Sequence, residues 1–185
     1  MDNDDDDRQL VERFRHGDRE AFADLVVRYQ RPVYNAAWWV LRSVEDASDV
    51  AQSVFLKVAE RLDDYDPRYR FFSWIYRIAV NESLNVLRRN GHEEPFDGEV
   101  DVPGPDGDDP ERRASDAELS ARVRNAVMGM ATNDRTVLML RHFSELSYLE
   151  IGQILELDEK TVKSRLFEAR QRLRGLLGDL HDERR

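Results

Sequence analysis

The sequence predicts an all-α chain of two small helical domains joined by a flexible acidic linker, the second domain a helix-turn-helix. Three observations lead there. Apolar residues recur at helical spacing along most of the 185 residues, and no β-branched alternation persists over a strand's length. Side chains that open helices stand where those patterns begin. Residues 91–118 break the pattern with eleven acids against two Arg, four of the nine Gly and four of the six Pro. Such a stretch buries too little apolar surface to order itself.

The elements follow in order. Residues 1–7 hold five Asp and no base, and read as an acidic tail. A first helix is expected over Arg8–His16, ended by Gly17. Asp18 can cap the next, in which Phe22, Leu25, Val26, Tyr29 and Val33 fall on one face. Pro32 should kink that helix or mark a join. Ser43 to Asp46 resembles a capping box opening a helix to about Leu62. Another runs from about Phe72 to Arg89, with Trp74, Ile78 and Leu84 pointing inward. The first domain is thus 8–90 and the linker 91–115. The second domain, 116–178, should hold helices near 116–130, 134–142, 147–155 and 159–177, with a second capping box at Ser147 to Glu150.

Composition narrows the function. The chain carries 38 Asp and Glu against 28 Lys and Arg, a net charge of −10. A nucleic-acid binder needs cations for phosphates, so that sum argues against one unless charge is sorted by segment. It is sorted. The tail and linker hold most of the excess acid, whereas residues 160–174 carry six Lys and Arg and one Glu. The absence of Cys removes disulfides, thiolate metal sites and Cys nucleophiles, and four scattered His give no zinc signature. No metal, cofactor or enzyme constellation is expected. No apolar run approaches the ~20 residues of a membrane span, and the acidic start is unlike a signal peptide. A cytoplasmic protein without membrane insertion is expected.

Ser147–Leu177 carries the clearest motif. One helix displays Leu149, Ile151, Ile154 and Leu155. After a polar break containing Leu157, Asp158 can cap a second, in which Val162, Leu166, Ala169, Leu173 and Leu177 form a narrow arc. Lys160, Ser164 and Gln171 point away from that arc, flanked by Lys163, Arg165 and Glu168. A helix apolar inside and basic outside fits the major groove. The first domain has its own cluster: six aromatics in residues 65–76, interleaved with Arg68, Arg70 and then Arg77. Aromatic faces stack on unpaired bases and arginines hold phosphates.

The order DASDVAQSVFLKV, then FFSWIYRIAVNESLNVLRR, then acidic linker, then helix-turn-helix resembles the extracytoplasmic-function group of bacterial RNA polymerase sigma factors, over roughly residues 8–178. The resemblance implies a transcription initiation factor that binds core RNA polymerase, at the β′ clamp and the β flap, and promoter DNA. It implies polymerase contacts at Asp46, Asp49, Gln52, Ser53, Phe55 and Leu56. It implies −10 contacts at Arg68, Arg70, Phe72, Trp74, Arg77, Asn81, Arg88 and Arg89, with a flipped base held near Asp66–Phe71. Trp74 and Phe72, though among these contacts, read mainly as packing. The −35 contacts would be Lys160, Thr161, Lys163, Ser164, Arg165 and Glu168. The linker would thread the polymerase as an RNA-like polyanion, or act as an inert tether.

The chain departs from the family twice. Ser48 and Ser53 stand where Glu is common, which reads either as drift or as a pair of phosphorylation sites for a Ser/Thr kinase, restoring acid against a basic partner. Glu156 to Glu159 replaces a turn that commonly holds Gly, which puts the −35 preference in doubt. Competing readings are a sigma-like decoy or adaptor that binds an anti-sigma factor, and a plain helix-turn-helix regulator.

Overall fold

The computed structural model describes residues 3–91 and 121–182. The linker assignment, residues 91–115, lies outside these apart from Gly91. Among the described residues all regular structure is helical. The elements are α1 (Asn3–Arg15), α2 (Arg19–Leu41), α3 (Val44–Glu60), a 3₁₀ turn (Leu62–Asp64), α4 (Phe71–Asn90), α5 (121–128), α6 (Thr132–His142), α7 (Tyr148–Leu155) and α8 (Glu159–Asp182).

The expected caps form. Asp18 accepts the amides of Glu20 and Ala21, and Ser43 accepts that of Asp46 at 3.1 Å. Ser147 and Glu150 complete a reciprocal capping box. Asp158 accepts the Thr161 amide at 2.8 Å and its hydroxyl at 2.7 Å. Each cap satisfies amides that an isolated helix start leaves orphaned.

Two expectations need correction. The described part of the acidic start is helical rather than tail-like: α1 begins at Asn3, before Arg8. Asp7 is 1 % exposed, with Arg28 2.5 Å away and the Tyr29 hydroxyl donating to it. Acids at a helix N-terminus also suit the helix dipole. Pro32 marks no join, since α2 runs through it to Leu41.

Helix α2 buries Ala21, Leu25, Tyr29, Val33, Ala36, Ala37 and Val40 along one stripe and packs on α1, α3 and α4. Phe71 is the centre of an aromatic cluster, its ring 5.4 Å from those of Tyr29 and Tyr65 and 5.7 Å from Trp74. In the second half α6 packs on α7 and α8, burying Val137, Leu140, Ile151, Val162, Leu166 and Ala169. The buried residues of both halves form one core, because α7 packs on α4 and α6 on α2.

The α7–α8 turn is tight at one atom. A Cβ on Gly152 would lie 2.6 Å from the Leu157 carbonyl oxygen, whose own amide donates to the Gly152 carbonyl at 2.9 Å. Gly152→Ala is expected to destabilise the chain by about 1–2 kcal/mol, read as a lower urea midpoint, because backbone must shift to admit the methyl. An unchanged midpoint would show that the turn relaxes freely. Glu156 occupies the left-handed region at φ 55°, the conformation that favours the Gly more usual at such a turn.

Candidate nucleic-acid interface

The loop preceding α4 is shaped by its own side chains. The Tyr65 hydroxyl donates to the Tyr69 carbonyl at 2.8 Å, and Arg15 donates to the carbonyls of Leu62 and Tyr65 at 3.2 and 2.9 Å. Arg68 grips Asp66 through bonds of 2.6–3.0 Å, which hold the Asp66 carboxyl below its ordinary range. Arg70 lies over the Phe72 ring, 5.6 Å from its centre.

Of the residues assigned to −10 reading, Arg68, Arg70, Arg77, Arg88 and Arg89 are exposed, and Phe72 and Asn81 half-buried. Trp74 is 7 % exposed and packs against Tyr65 and Phe71, so its main work is core packing. A cavity of about 290 Å³ opens between this loop and α4, lined by Tyr65, Asp66, Tyr69, Ser73, Trp74 and Arg77, with Gln153 and Ile154 of α7 among its remaining walls. A neighbouring cavity of about 320 Å³ includes Lys57, Arg61, Asn81, Gln153 and Glu156.

On α3, Asp49, Gln52 and Leu56 are exposed, Leu56 at 66 %, while Asp46 and Ser53 are half-buried. Phe55 is half-buried and packs against the core, so it faces a partner only in part. The Ser48 hydroxyl donates to the Val44 carbonyl at 2.9 Å.

On α8, Lys160, Lys163, Ser164 and Glu168 are exposed, and Thr161 and Arg165 half-buried. Lys163 pairs with Glu159 at 2.8 Å and lies 5.6 Å from the centre of the Tyr148 ring. Glu168 pairs with Arg172, which also reaches Asp134. Thr161 is committed to the Asp158 cap, which leaves its hydroxyl engaged within the protein.

The sequence reading missed the residues that join the two halves. The Ser73 hydroxyl donates to Glu150 at 2.6 Å, and Arg70 lies 3.8 Å from the same carboxylate. Burial pushes the Glu150 carboxyl up, but the hydrogen bonds from Ser73 and Ser147, with Arg70 alongside, outweigh it and hold the group below its ordinary value. Arg135 is fully buried. Its guanidinium donates to the carbonyls of Trp39 (2.5 Å), Val40 (2.8 Å) and Met130 (2.7 Å) and to the Thr132 hydroxyl (3.1 Å). The one signal in the sequence was a charged residue on the apolar face of α6, one turn from Leu138 and Met139.

Among the described residues no cluster of three or more His, Cys, Asp or Glu could hold a metal ion, and no helix is long and apolar enough to cross a membrane.

Known proteins resemble this chain in both halves. The family model described as Sigma-70 region 2 matches residues 25–93, and that described as Sigma-70, region 4 matches residues 120–173. The chain is 32% identical over 182 residues to the ECF RNA polymerase sigma factor SigW of Bacillus subtilis (strain 168), covering 94% of this chain and 97% of that protein. It is 36% identical over 177 residues to the ECF RNA polymerase sigma-E factor of Escherichia coli (strain K12), covering 89% and 91%. Among solved structures, CnrH in complex with the cytosolic domain of CnrY is similar at a TM-score of 0.69 and 29% identity, with 94% of this chain and 98% of that chain covered. The sigma factor RpoE in complex with the anti-sigma factor NepR from Bartonella quintana shares the fold at a TM-score of 0.68 and 20% identity, with 85% and 96% covered.

Proposed function

Because the chain belongs to the extracytoplasmic-function RNA polymerase sigma factors, we propose that it binds core polymerase through α3 and directs it to promoters with −10 and −35 elements. It acts by binding, in the cytoplasm beside the polymerase, and performs no catalysis of its own. The observation that carries this is the division of labour along one helical chain. An exposed acidic stripe on α3 suits a basic partner, an arginine-rich α4 adjoins an aromatic-lined cavity, and α8 presents lysines on its outer face.

The −10 contacts fall to Arg77, Arg88 and Arg89, with Arg68, Arg70, Phe72 and Asn81 beside them and Trp74 as the floor of the cavity. The −35 contacts fall to Lys160, Lys163, Ser164, Arg165 and Glu168. A partner protein such as an anti-sigma factor can bind such a chain, as NepR is bound to RpoE from Bartonella quintana.

Transcription in vitro tests the reading. Core polymerase with this chain should start transcripts at discrete sites that core polymerase alone does not use. A plain regulator would bind duplex operator unaided, and a decoy would bind polymerase or a protein partner without opening DNA. Lys163→Ala and Arg165→Ala should each lower −35-dependent transcription, and where a phosphate contact is lost the slope of log affinity against log salt should fall by about one unit. Unchanged transcription in both variants would place the reading face elsewhere on α8.

A further inference from the structure

We infer that Arg15, the last residue of α1, is a positioning residue for −10 reading. It ties the entry of the loop 65–70 to α1, while the Tyr65 hydroxyl ties the loop's far end to the core. This rests on the sigma-factor reading and adds to it a residue that keeps the base-receiving loop in shape without touching DNA. Arg15 lies ahead of the segment matched to region 2, which begins at residue 25.

The loop needs such ties. No helical ladder spans residues 65–70, so its backbone groups must find partners elsewhere. Inside the loop the Tyr69 amide donates to the Asp66 carbonyl at 3.1 Å, and the Arg68 amide to the Asp66 carboxylate at 3.0 Å. Those bonds close a turn without anchoring it to the domain. Arg15 supplies an anchor. One guanidinium nitrogen donates to the Leu62 carbonyl at 3.2 Å and to the Tyr65 carbonyl at 2.9 Å. A second donates to Glu12 at 2.7 Å, which aims the group. The guanidinium carbon also stands 6.0 Å from the centre of the Tyr65 ring. That ring is buried against Phe71 and Trp74, and its hydroxyl donates to the Tyr69 carbonyl at 2.8 Å. Tyr69 is 48 % exposed, so this bond holds a residue that packing alone does not.

A tie is as firm as the helix that carries it. α1 is seated by Val11 and Asp7, each 1 % exposed. Asp7 accepts from Arg28 and from the Tyr29 hydroxyl, and the Tyr29 ring meets those of Phe71 and Phe72. α1 therefore braces both the loop and the start of the helix that follows it. Tyr65, Asp66 and Tyr69 all line the cavity that would receive a base. A recognition site works only when its groups are held to about 0.5 Å. The Arg15 side chain is 23 % exposed and its donors are engaged on carbonyls and a carboxylate, so it faces the protein rather than a phosphate.

Holoenzyme assembled from core polymerase and the full chain tests this, on a promoter found by transcript mapping and randomised across its −10 element. Arg15→Gln should lower transcription by about tenfold, the worth of a lost charge-assisted hydrogen bond. It should also flatten the base preference at one −10 position and leave the others and the −35 dependence as in the parent. Tyr65→Phe keeps the ring, removes only the hydroxyl tie and should flatten the same position. Core binding should stay within about twofold in both variants, because the α3 stripe is unaltered. The salt slope should not change. A slope lower by about one unit with the preference intact would make Arg15 a phosphate contact and overturn the proposal. An equal loss at every position in both variants would overturn it too. If Arg15→Gln loses its helical circular dichroism, Tyr65→Phe decides. In the free chain, amides of residues 62–71 should exchange with deuterium about tenfold faster in Arg15→Gln, with α3 unchanged. Unchanged exchange there would show that Arg15 does not hold the loop. A parent chain that starts no transcripts with core polymerase counts instead against the sigma-factor reading, and the exchange measurement then judges the tie.

Discussion

Asp46→Lys combined with Asp49→Lys is expected to weaken core polymerase binding by about a hundredfold or more, because like charges brought together at an interface cost several kcal/mol. Both residues lie on the outward stripe of α3, Asp49 exposed and Asp46 half-buried. The cost to folding is small. Asp46 lies in the first turn of α3, where an acid favours the helix dipole, so reversing it removes about 0.3–1 kcal/mol. Fluorescence anisotropy of labelled chain against polymerase, beside a thermal melt, separates the two effects. Binding within about twofold of the parent would move the polymerase contact off α3. The same titration decides between the two readings of the serines. Ser48 already donates its proton to the Val44 carbonyl and Ser53 is half-buried. Ser48→Glu and Ser53→Glu should therefore bind within about twofold of wild type, and a gain of about tenfold in either would favour control by a kinase.

Phe71→Ala should be the most destabilising single change in the N-terminal half, at about 3–5 kcal/mol. The side chain is 1 % exposed and meets Tyr29, Tyr65 and Trp74 edge-on or tilted. Truncation leaves a void among three large rings that have no room to collapse. Its consequences reach the site, since Tyr65 and Trp74 also line the cavity. Phe72→Ala, at a half-buried position, should cost less stability and more promoter opening. Urea unfolding of both variants checks the ranking, and equal midpoints would show that the cluster does not depend on Phe71.

Local signals were legible in the sequence wherever the chemistry was local. Asp18, Ser43, Ser147 and Asp158 cap the helices that follow them because a cap needs only a side chain and amides two or three residues on. Val162, Leu166 and Ala169 are buried as their spacing requires. What escaped depended on partners far along the chain. Asp7 looked like tail because its charge was visible and Arg28 and Tyr29 were not. Arg135 is a charge beside an apolar run, but two of the carbonyls it serves lie more than ninety residues earlier, in α2. Trp74 could be read as packing or as contact from its type alone, and the rings around it assign it to packing.

If this chain selects promoters for core polymerase, mapping transcript 5′ ends after its overexpression should find a new set of start sites whose upstream sequences share two elements at fixed spacing, with the set lost when Asp46→Lys and Asp49→Lys are introduced together. New starts that share neither element, or that persist in the charge-reversed variant, would contradict it.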